Sequence, residues 1–424
     1  MIHAFGDIDR RSLEQLERTA AGAAAAALMA DHHPGYGMPI GGVAAWEDQV
    51  SPNGVGFDIA CGNKAVRTPI PAVALGDELP RLMDEINARI SFGMGRANDE
   101  PADHPVLDAI REAPFVPQRG LRELAAKQLG TVGGGNHYVD LLADEEGRVW
   151  IGVHFGSRGF GHKTATGFLA LAQGKSFTDH ASEGGMDTGP VLLDTATDLG
   201  QGYVEAMQLA GDYAYAGRDL VVDKVLEILG THAELEVHNH HNFAWRERHH
   251  GRDVWVVRKG ATPAFPGQLG FVGGSMGTFC VILEGVESPD SADALYSTVH
   301  GAGRVMSRTE AAGKSKKRWA CNNRDCAWVQ PPRSHKPAAC PNCGNTRFSK
   351  RWVQERAGRV DWPAVRRELA DRGIELRGGG ADEAPEVYKD LHEVLAAQGD
   401  TIRVRHELRP LGVAMAGPDV RPDD

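Results

Sequence analysis

Residue types that bind metal ions are spread along this chain at Asp58, Cys61, His137, His154 and His241. No short loop can gather ligands so far apart. They converge only if a large fold brings them together, which marks an active site rather than a local metal finger. A sixth feature follows them, Val299-His300-Gly301-Ala302-Gly303-Arg304. Small residues beside a histidine let its ring and the nearby backbone N–H groups approach a phosphate. Arg304 adds a planar fork of donors suited to phosphate oxygens.

With 424 residues, the chain has room for one large α/β domain with insertions, or for two domains. Its net charge of −11 excludes a generic nucleic-acid binder. Asp7, Asp9, Arg10 and Arg11 stand where a secretory leader would be apolar, and the Ala-rich stretch over 20–30 is too short to span a membrane. Of six cysteines, four cluster, Cys61 has a ligand-like setting, and Cys280 reads as a buried strand residue. That usage fits a reducing cytoplasm.

Hydrophobic periodicity predicts helices over 12–28, 77–89 (with Asp77 as N-cap) and 197–228, the last with breaks. Strands are expected over 54–62, after the Gly loop 133–136, and over 149–154, 254–258 and 277–283, with a turn-rich loop over 31–39. No internal repeat is visible, and the mixture gives an α/β or α+β class, of which α+β is expected.

Asp58-x-x-Cys61 sets a carboxylate and a thiolate close together, and a thiolate can bridge two cations. By softness alone, Cys, His and Asp favour Zn²⁺, Fe²⁺ or Co²⁺ over Mn²⁺. A lone histidine is more often exposed or satisfied within a core, and a lone cysteine is as often a small apolar residue. It is the joint set, beside glycine turns, that favours a site. Glycine-rich loops at 133–136, 156–161, 273–277 and 301–303 offer backbone donors to phosphates, though each alone is usually only a turn. The residues leave three roles open for His300: covalent nucleophile, general base or phosphate ligand.

Taken together, Asp58-Ile59-Ala60-Cys61-Gly62, Gly135-Asn136-His137, His154-Phe155-Gly156-Ser157-Arg158-Gly159, His240-His241-Asn242, Gly274-Ser275-Met276-Gly277 and His300-Gly301-Ala302-Gly303-Arg304-Val305-Met306-Ser307-Arg308 resemble the RtcB-type RNA-splicing ligases, in family order. The resemblance implies a mixed α/β core that joins RNA 3′-phosphate or 2′,3′-cyclic phosphate ends to 5′-hydroxyl ends. It implies GTP, two Mn²⁺ ions and a histidine–guanylate on His300. Cys61 would bridge the two ions, with Asp58 and His137 on one and His154 and His241 on the other. Asn136 would contact phosphate. Ser275, Met276, Gly277, Gly301, Ala302, Gly303, Arg304 and Tyr388 would line the nucleotide pocket, Tyr388 stacking on the base. Asp31 and His33 match an early Asp-x-His near the RNA end. An accessory activating protein is a further implied partner.

This sequence departs from the family pattern in three places. Asp140 stands where a Glu usually reads the guanine edge, and Met415 stands near the end where a Lys-Gly usually approaches the base. ATP is therefore expected as an alternative to GTP. The third departure is an insertion over 313–356, which divides the core into 1–312 and 357–417, with 418–424 expected as a disordered acidic tail. The insertion carries 11 Lys/Arg against 2 Asp/Glu, a net +9 that leaves −20 on the rest of the chain. Cys321, Cys326, Cys340 and Cys343 have zinc-ribbon spacing, so structural Zn²⁺ is expected there. Its basic residues and three Trp suggest an RNA clamp. Two alternatives compete with the ligase reading: a two-metal phosphoesterase acting on RNA ends, and a non-catalytic RNA-binding protein.

Overall fold

The computed structural model describes residues 2–181, 185–332 and 334–417; the expected tail over 418–424 lies outside them. Two sheets dominate. The larger has eight strands, in the order Leu269–Val272, Cys280–Gly285, Ile402–Met415, Tyr138–Ala143, Arg148–Phe155, Gly62–Pro71 and Leu235–His240, with Glu375–Arg377 added in parallel to Ile402–Met415. The smaller runs Ile2–Ala4, Ala25–His33, Ile40–Trp46, Arg252–Lys259 and Asn242–His249.

The Ala-rich stretch is a correction. The helix Arg10–Thr19 ends early, and Ala25–His33 is a strand buried along nearly its whole length. Ala26 and Leu28 enter one hydrophobic cluster while Ala27 and Met29 enter another. A period of two between two cores overrides the helix propensity of alanine. The expected loop over 31–39 accordingly begins only after His33.

Three smaller corrections follow from local chemistry. The predicted strand over 54–62 begins instead as the short helix Pro52–Val55, because Ser51 caps Gly54 N–H and Pro52 suits the first turn. Asp77 lies in a 3₁₀ turn, and the helix Leu79–Arg89 starts behind Glu78 with no side-chain cap. The strand expected from 277 starts at Cys280, because Thr278 Oγ1 accepts from Ser275 N–H at 2.7 Å and holds a turn.

The helix Asp198–Leu229 runs 32 residues without a break, from a Thr197 cap to Gly230 in the left-handed conformation. Its first half packs Tyr203, Met207 and Tyr213 into the core shared with the smaller sheet. Its second half packs Val221, Val222 and Val225 under the larger sheet. Arg218 falls between the two halves, fully buried.

The insertion forms an antiparallel hairpin, Lys314–Cys321 with Phe348–Arg356. The four cysteine sulfurs lie within 4.8 Å of one another. Cys321–Cys343 and Cys326–Cys340 are each 3.6 Å apart, and all four are free. A metal about 2.3 Å from four tetrahedral thiolates spaces the sulfurs by roughly 3.8 Å, so this geometry is compatible with a zinc ribbon. Among the described residues, no helix is long and apolar enough to cross a membrane.

Candidate active site

Antiparallel pairing explains why distant ligands meet. Gly62–Pro71 runs against both Arg148–Phe155 and Leu235–His240, and Tyr138–Ala143 runs against Arg148–Phe155. Residues just before the first and last of these strand starts, and residues at the ends of the other two, therefore share one edge of the sheet. Cys61, His137, His154 and His241 occupy those positions. Cys61 Sγ lies 3.6 Å from His137 Nε2 and 3.5 Å from His154 Nε2, and Asp58 Oδ2 is 3.2 Å from His137 Nε2. The His241 ring stacks on His154 at 5.1 Å and meets His300 edge-on at 4.9 Å.

Burial tunes these donors. It holds His154 and His241 well below the usual imidazole range, so both are neutral and have a lone pair to give. It also pushes the Cys61 thiol up to about 12, with Asp58 adding to the rise and His137 opposing it. A cation that takes this sulfur as thiolate must displace its proton. Donor chemistry and spacing fit a divalent ion.

Cross-strand register places Asn63 beside His154, His154 beside Tyr138, and Tyr138 beside Met415, one row across four strands. Asn63 Nδ2 donates to Phe271 O at 2.8 Å, which turns Asn63 Oδ1 toward His154 Nδ1, 2.5 Å away. His154 Nδ1 is thus the protonated nitrogen, and Nε2 faces Cys61. Behind the row, the Arg218 guanidinium donates to Ala60 O (3.1 Å), Phe155 O (2.6 Å), His238 Nε2 (2.8 Å) and His240 Nδ1 (2.9 Å). Each acceptor except His238 adjoins one of the converging residues Cys61, His154 or His241. Burial lowers Arg218 to about 10, still charged at neutral pH.

His300 is aligned by a carboxylate. Asp31 Oδ2 accepts from His300 Nδ1 at 2.7 Å, from His300 N–H at 3.0 Å and from Gly301 N–H at 3.2 Å. Burial alone would raise Asp31, but His300 and these bonds outweigh it and hold the carboxyl below its ordinary range. Nδ1 therefore carries a proton, and Nε2 keeps the lone pair. Two glycines make room. A Cβ on Gly303 (φ +75°) would sit 2.0 Å from Asp31 O, and one on Gly260 (φ +62°) would sit 3.0 Å from His300 Cε1.

The converging donors and His300 border one cavity of about 580 Å³, the size of a small-ligand site. Besides Asp58, Cys61, His137, His154, His241 and His300, it is lined by Asn136, Asp140, Ser275, Met276, Gly301, Ala302, Gly303, Arg304, Tyr388 and Met415. His33 lines it too, whereas Asp31 sits behind His300. Gly277 is not in the lining; its α-carbon faces Leu369 and Pro385. Arg304 donates to Glu383 Oε2 (3.2 Å), the Tyr388 hydroxyl (3.3 Å) and Asp382 O (2.7 Å), and covers one face of the Tyr388 ring at 5.2 Å. Asp140 Oδ1 and Tyr138 Oη, of two lining residues, are buried with no hydrogen-bond partner among the described residues. Burial alone drives Asp140 well above the carboxylate range.

Sequence reading missed Asn63, Arg218, Glu383 and Gly260. Of these, only Gly260 carried a signal, a glycine between two strand patterns.

Fold and site together define the class: a mixed α/β protein whose sheet edge can hold a divalent cation beside an oriented imidazole. The family described as tRNA-splicing ligase RtcB matches residues 13–117 and 107–327. The RNA-splicing ligase RtcB of Escherichia coli (strain K12) is 31% identical over 408 residues, covering 90% of this chain and 88% of that protein. The tRNA-splicing ligase RtcB of Archaeoglobus fulgidus is 30% identical over 505 residues, covering 97% and 94%. The RNA-splicing ligase RtcB of Mycobacterium tuberculosis is 30% identical over 465 residues, covering 91% and 95%. The chain belongs to the RtcB RNA-splicing ligase family.

Proposed function

We propose that this protein is an RNA ligase that joins a 3′-phosphate or 2′,3′-cyclic phosphate end to a 5′-hydroxyl end through a nucleotide carried on His300. The observation that carries the reading is His300, oriented by Asp31 from behind, in the same cavity as the Cys61, His137, His154 and His241 donors. Asp31 fixes the Nδ1–H tautomer, so the lone pair on Nε2 attacks the α-phosphorus of a nucleoside triphosphate and pyrophosphate leaves. An oxygen of the RNA 3′-phosphate then attacks that phosphorus, breaking the N–P bond and returning the pair to His300. The 5′-hydroxyl attacks the activated 3′-phosphate, loses its proton and expels the nucleoside monophosphate. A cyclic end must first be hydrolysed to the 3′-phosphate. Two Mn²⁺ ions are proposed, Asp58 and His137 serving one, His154 and His241 the other, with Cys61 shared. When bound, such cations neutralise phosphate charge and align the in-line displacement.

Nucleotide choice turns on Asp140. A carboxylate suits guanine, which offers two N–H donors on its edge. A carboxyl kept protonated by burial offers one donor and one acceptor, which matches the N1 and exocyclic amine of adenine. Met415, paired across from Tyr138, lines the same cavity and offers no hydrogen-bond donor. We therefore propose GTP use with ATP accepted. Incubation with Mn²⁺ and α-labelled GTP or ATP tests both points: a label lost in His300→Ala supports the covalent route. A metal-loaded protein that takes no label from either nucleotide is instead a phosphoesterase acting on RNA ends.

A further inference from the structure

We infer that one face of the inserted hairpin is a docking surface for single-stranded RNA, a choice of nucleic acid that rests on the ligase reading. Lys317 pairs directly opposite Trp352, and Trp319 opposite Lys350. Opposed residues of an antiparallel pair share a face, as do residues two apart on one strand. The four side chains therefore form a checkerboard of two indoles and two ammonium groups.

Cation–π contacts hold it in order. Lys317 Nζ lies 5.2 Å from the Trp352 ring centre and Lys350 Nζ 5.3 Å from that of Trp319. Lys336, from the connecting loop, reaches over Trp319 at 4.5 Å. Trp352 is 51% exposed, an unusual setting for an indole. The opposite face differs: Lys316, Arg318 and Arg351 share it, and Glu355 pairs there with Arg318 and, at 3.7 Å, with Lys316. The Lys–Trp side combines its cations with open indoles and has no acidic residue at its paired positions, within a segment of +9 on a chain that is otherwise −20.

An unpaired base can stack on Trp352 while its flanking phosphates meet Lys317 and Lys350. A duplex hides its base faces and cannot use the indoles. The hairpin also begins directly after the helix Arg308–Ala312, and Arg308 lines the catalytic cavity. A strand held here is tethered beside the proposed site of end joining.

The test uses the full-length, zinc-loaded protein and anisotropy of a labelled single-stranded RNA of about 12 nucleotides with hydroxyl ends, so that no ligation is involved. Trp352→Ala should weaken binding about 10-fold. Lys317→Ala with Lys350→Ala should lower the salt slope by roughly 1 to 2. These residues touch neither the cysteines nor His300, so zinc content and labelling of His300 should stay at the parent level. If Trp352→Ala loses zinc, Lys336→Ala reads the same face from the loop. Affinity and salt slope within error of the parent in the zinc-retaining variants overturn the inference. An equal loss on duplex RNA overturns it as well. Failure of His300 labelling with these binding losses intact would sink the ligase reading and leave the docking surface standing.

Discussion

Two cysteine-containing centres in this molecule are built in opposite ways. In the ribbon, four thiols lie within residues 321–343 on a two-stranded hairpin with little apolar surface to bury. In the catalytic centre, one thiol, three imidazoles and a carboxylate come from four separate stretches and are held by an eight-stranded sheet and the Arg218 clamp. On the proposed reading the ribbon would be folded by its metal, while the Cys61 centre is shaped by the protein before any metal binds. A site that must exchange substrates profits from the second plan, because its shape does not depend on what is bound.

The largest effect that sharpens this contrast is Cys340→Ser. It should abolish zinc binding and with it on the order of 10 kcal/mol of local folding free energy. Hydrogen exchange over 314–356 should approach the unfolded rate while protection in Gly62–Pro71 stays unchanged. Loss of protection in both regions would show that the two centres are not independent. Next comes Asp31→Asn. An amide can still accept from Nδ1, but it brings no charge to stabilise His300 as its electron pair is used. His300 labelling should fall by about 10³-fold or more with metal content unchanged, as when the carboxylate of a catalytic triad is neutralised. A fall of less than tenfold would leave Asp31 as mere scaffolding.

How the sequence could be read follows from the same contrast. The ribbon cysteines were legible because their spacing is local. Asp58, Cys61, His137 and His154 were legible beside glycine turns, whereas His241, one of six histidines over 232–250, stood out only through the family motif. Asn63 and Arg218 were not, because each acts through partners that only strand register or helix packing brings near: Asn63 needs its pairing with His154, and Arg218 needs the long helix to cross beneath three strands. The Ala25–His33 strand was misread because composition suggested a helix, whereas its alternation between two cores is visible only in the packed molecule. Glu383 was hidden in a Gly-rich run, although Arg304, Arg308 and Tyr388 all converge on it.

A middle-sized effect should separate the centres by metal. Asn63→Ala removes the acceptor that sets the His154 tautomer, so Mn²⁺ affinity of the core should drop 10- to 100-fold, read by titration calorimetry. Zinc content of the ribbon should not change. Arg218→Lys keeps the charge but cannot span four acceptors, and should lower core metal affinity similarly while also reducing thermal stability. An Arg218→Lys protein with parent Mn²⁺ affinity would confine the clamp to a folding role.

The smallest effect concerns ion pairs. Glu247 holds the fully buried Arg258 through both carboxylate oxygens, at 2.7 and 3.0 Å. Burial works to raise its pKa, but Arg258 and His249 outweigh that and hold Glu247 below the ordinary carboxylate range. A group lowered on folding contributes stability above its unfolded pKa and loses it as pH falls through the folded value. The core should therefore lose stability below about pH 4.5 in a step that Glu247→Gln removes. The ribbon pair Arg318–Glu355 sits on an exposed hairpin, where water and salt screen it. Raising the salt concentration should leave the Glu247 step in place and make Glu355→Gln indistinguishable from the parent in melting. A Glu247 step that vanished in salt would mean that the core pair is as solvated as the ribbon pair, and that the difference between the two centres lies in their ligands alone.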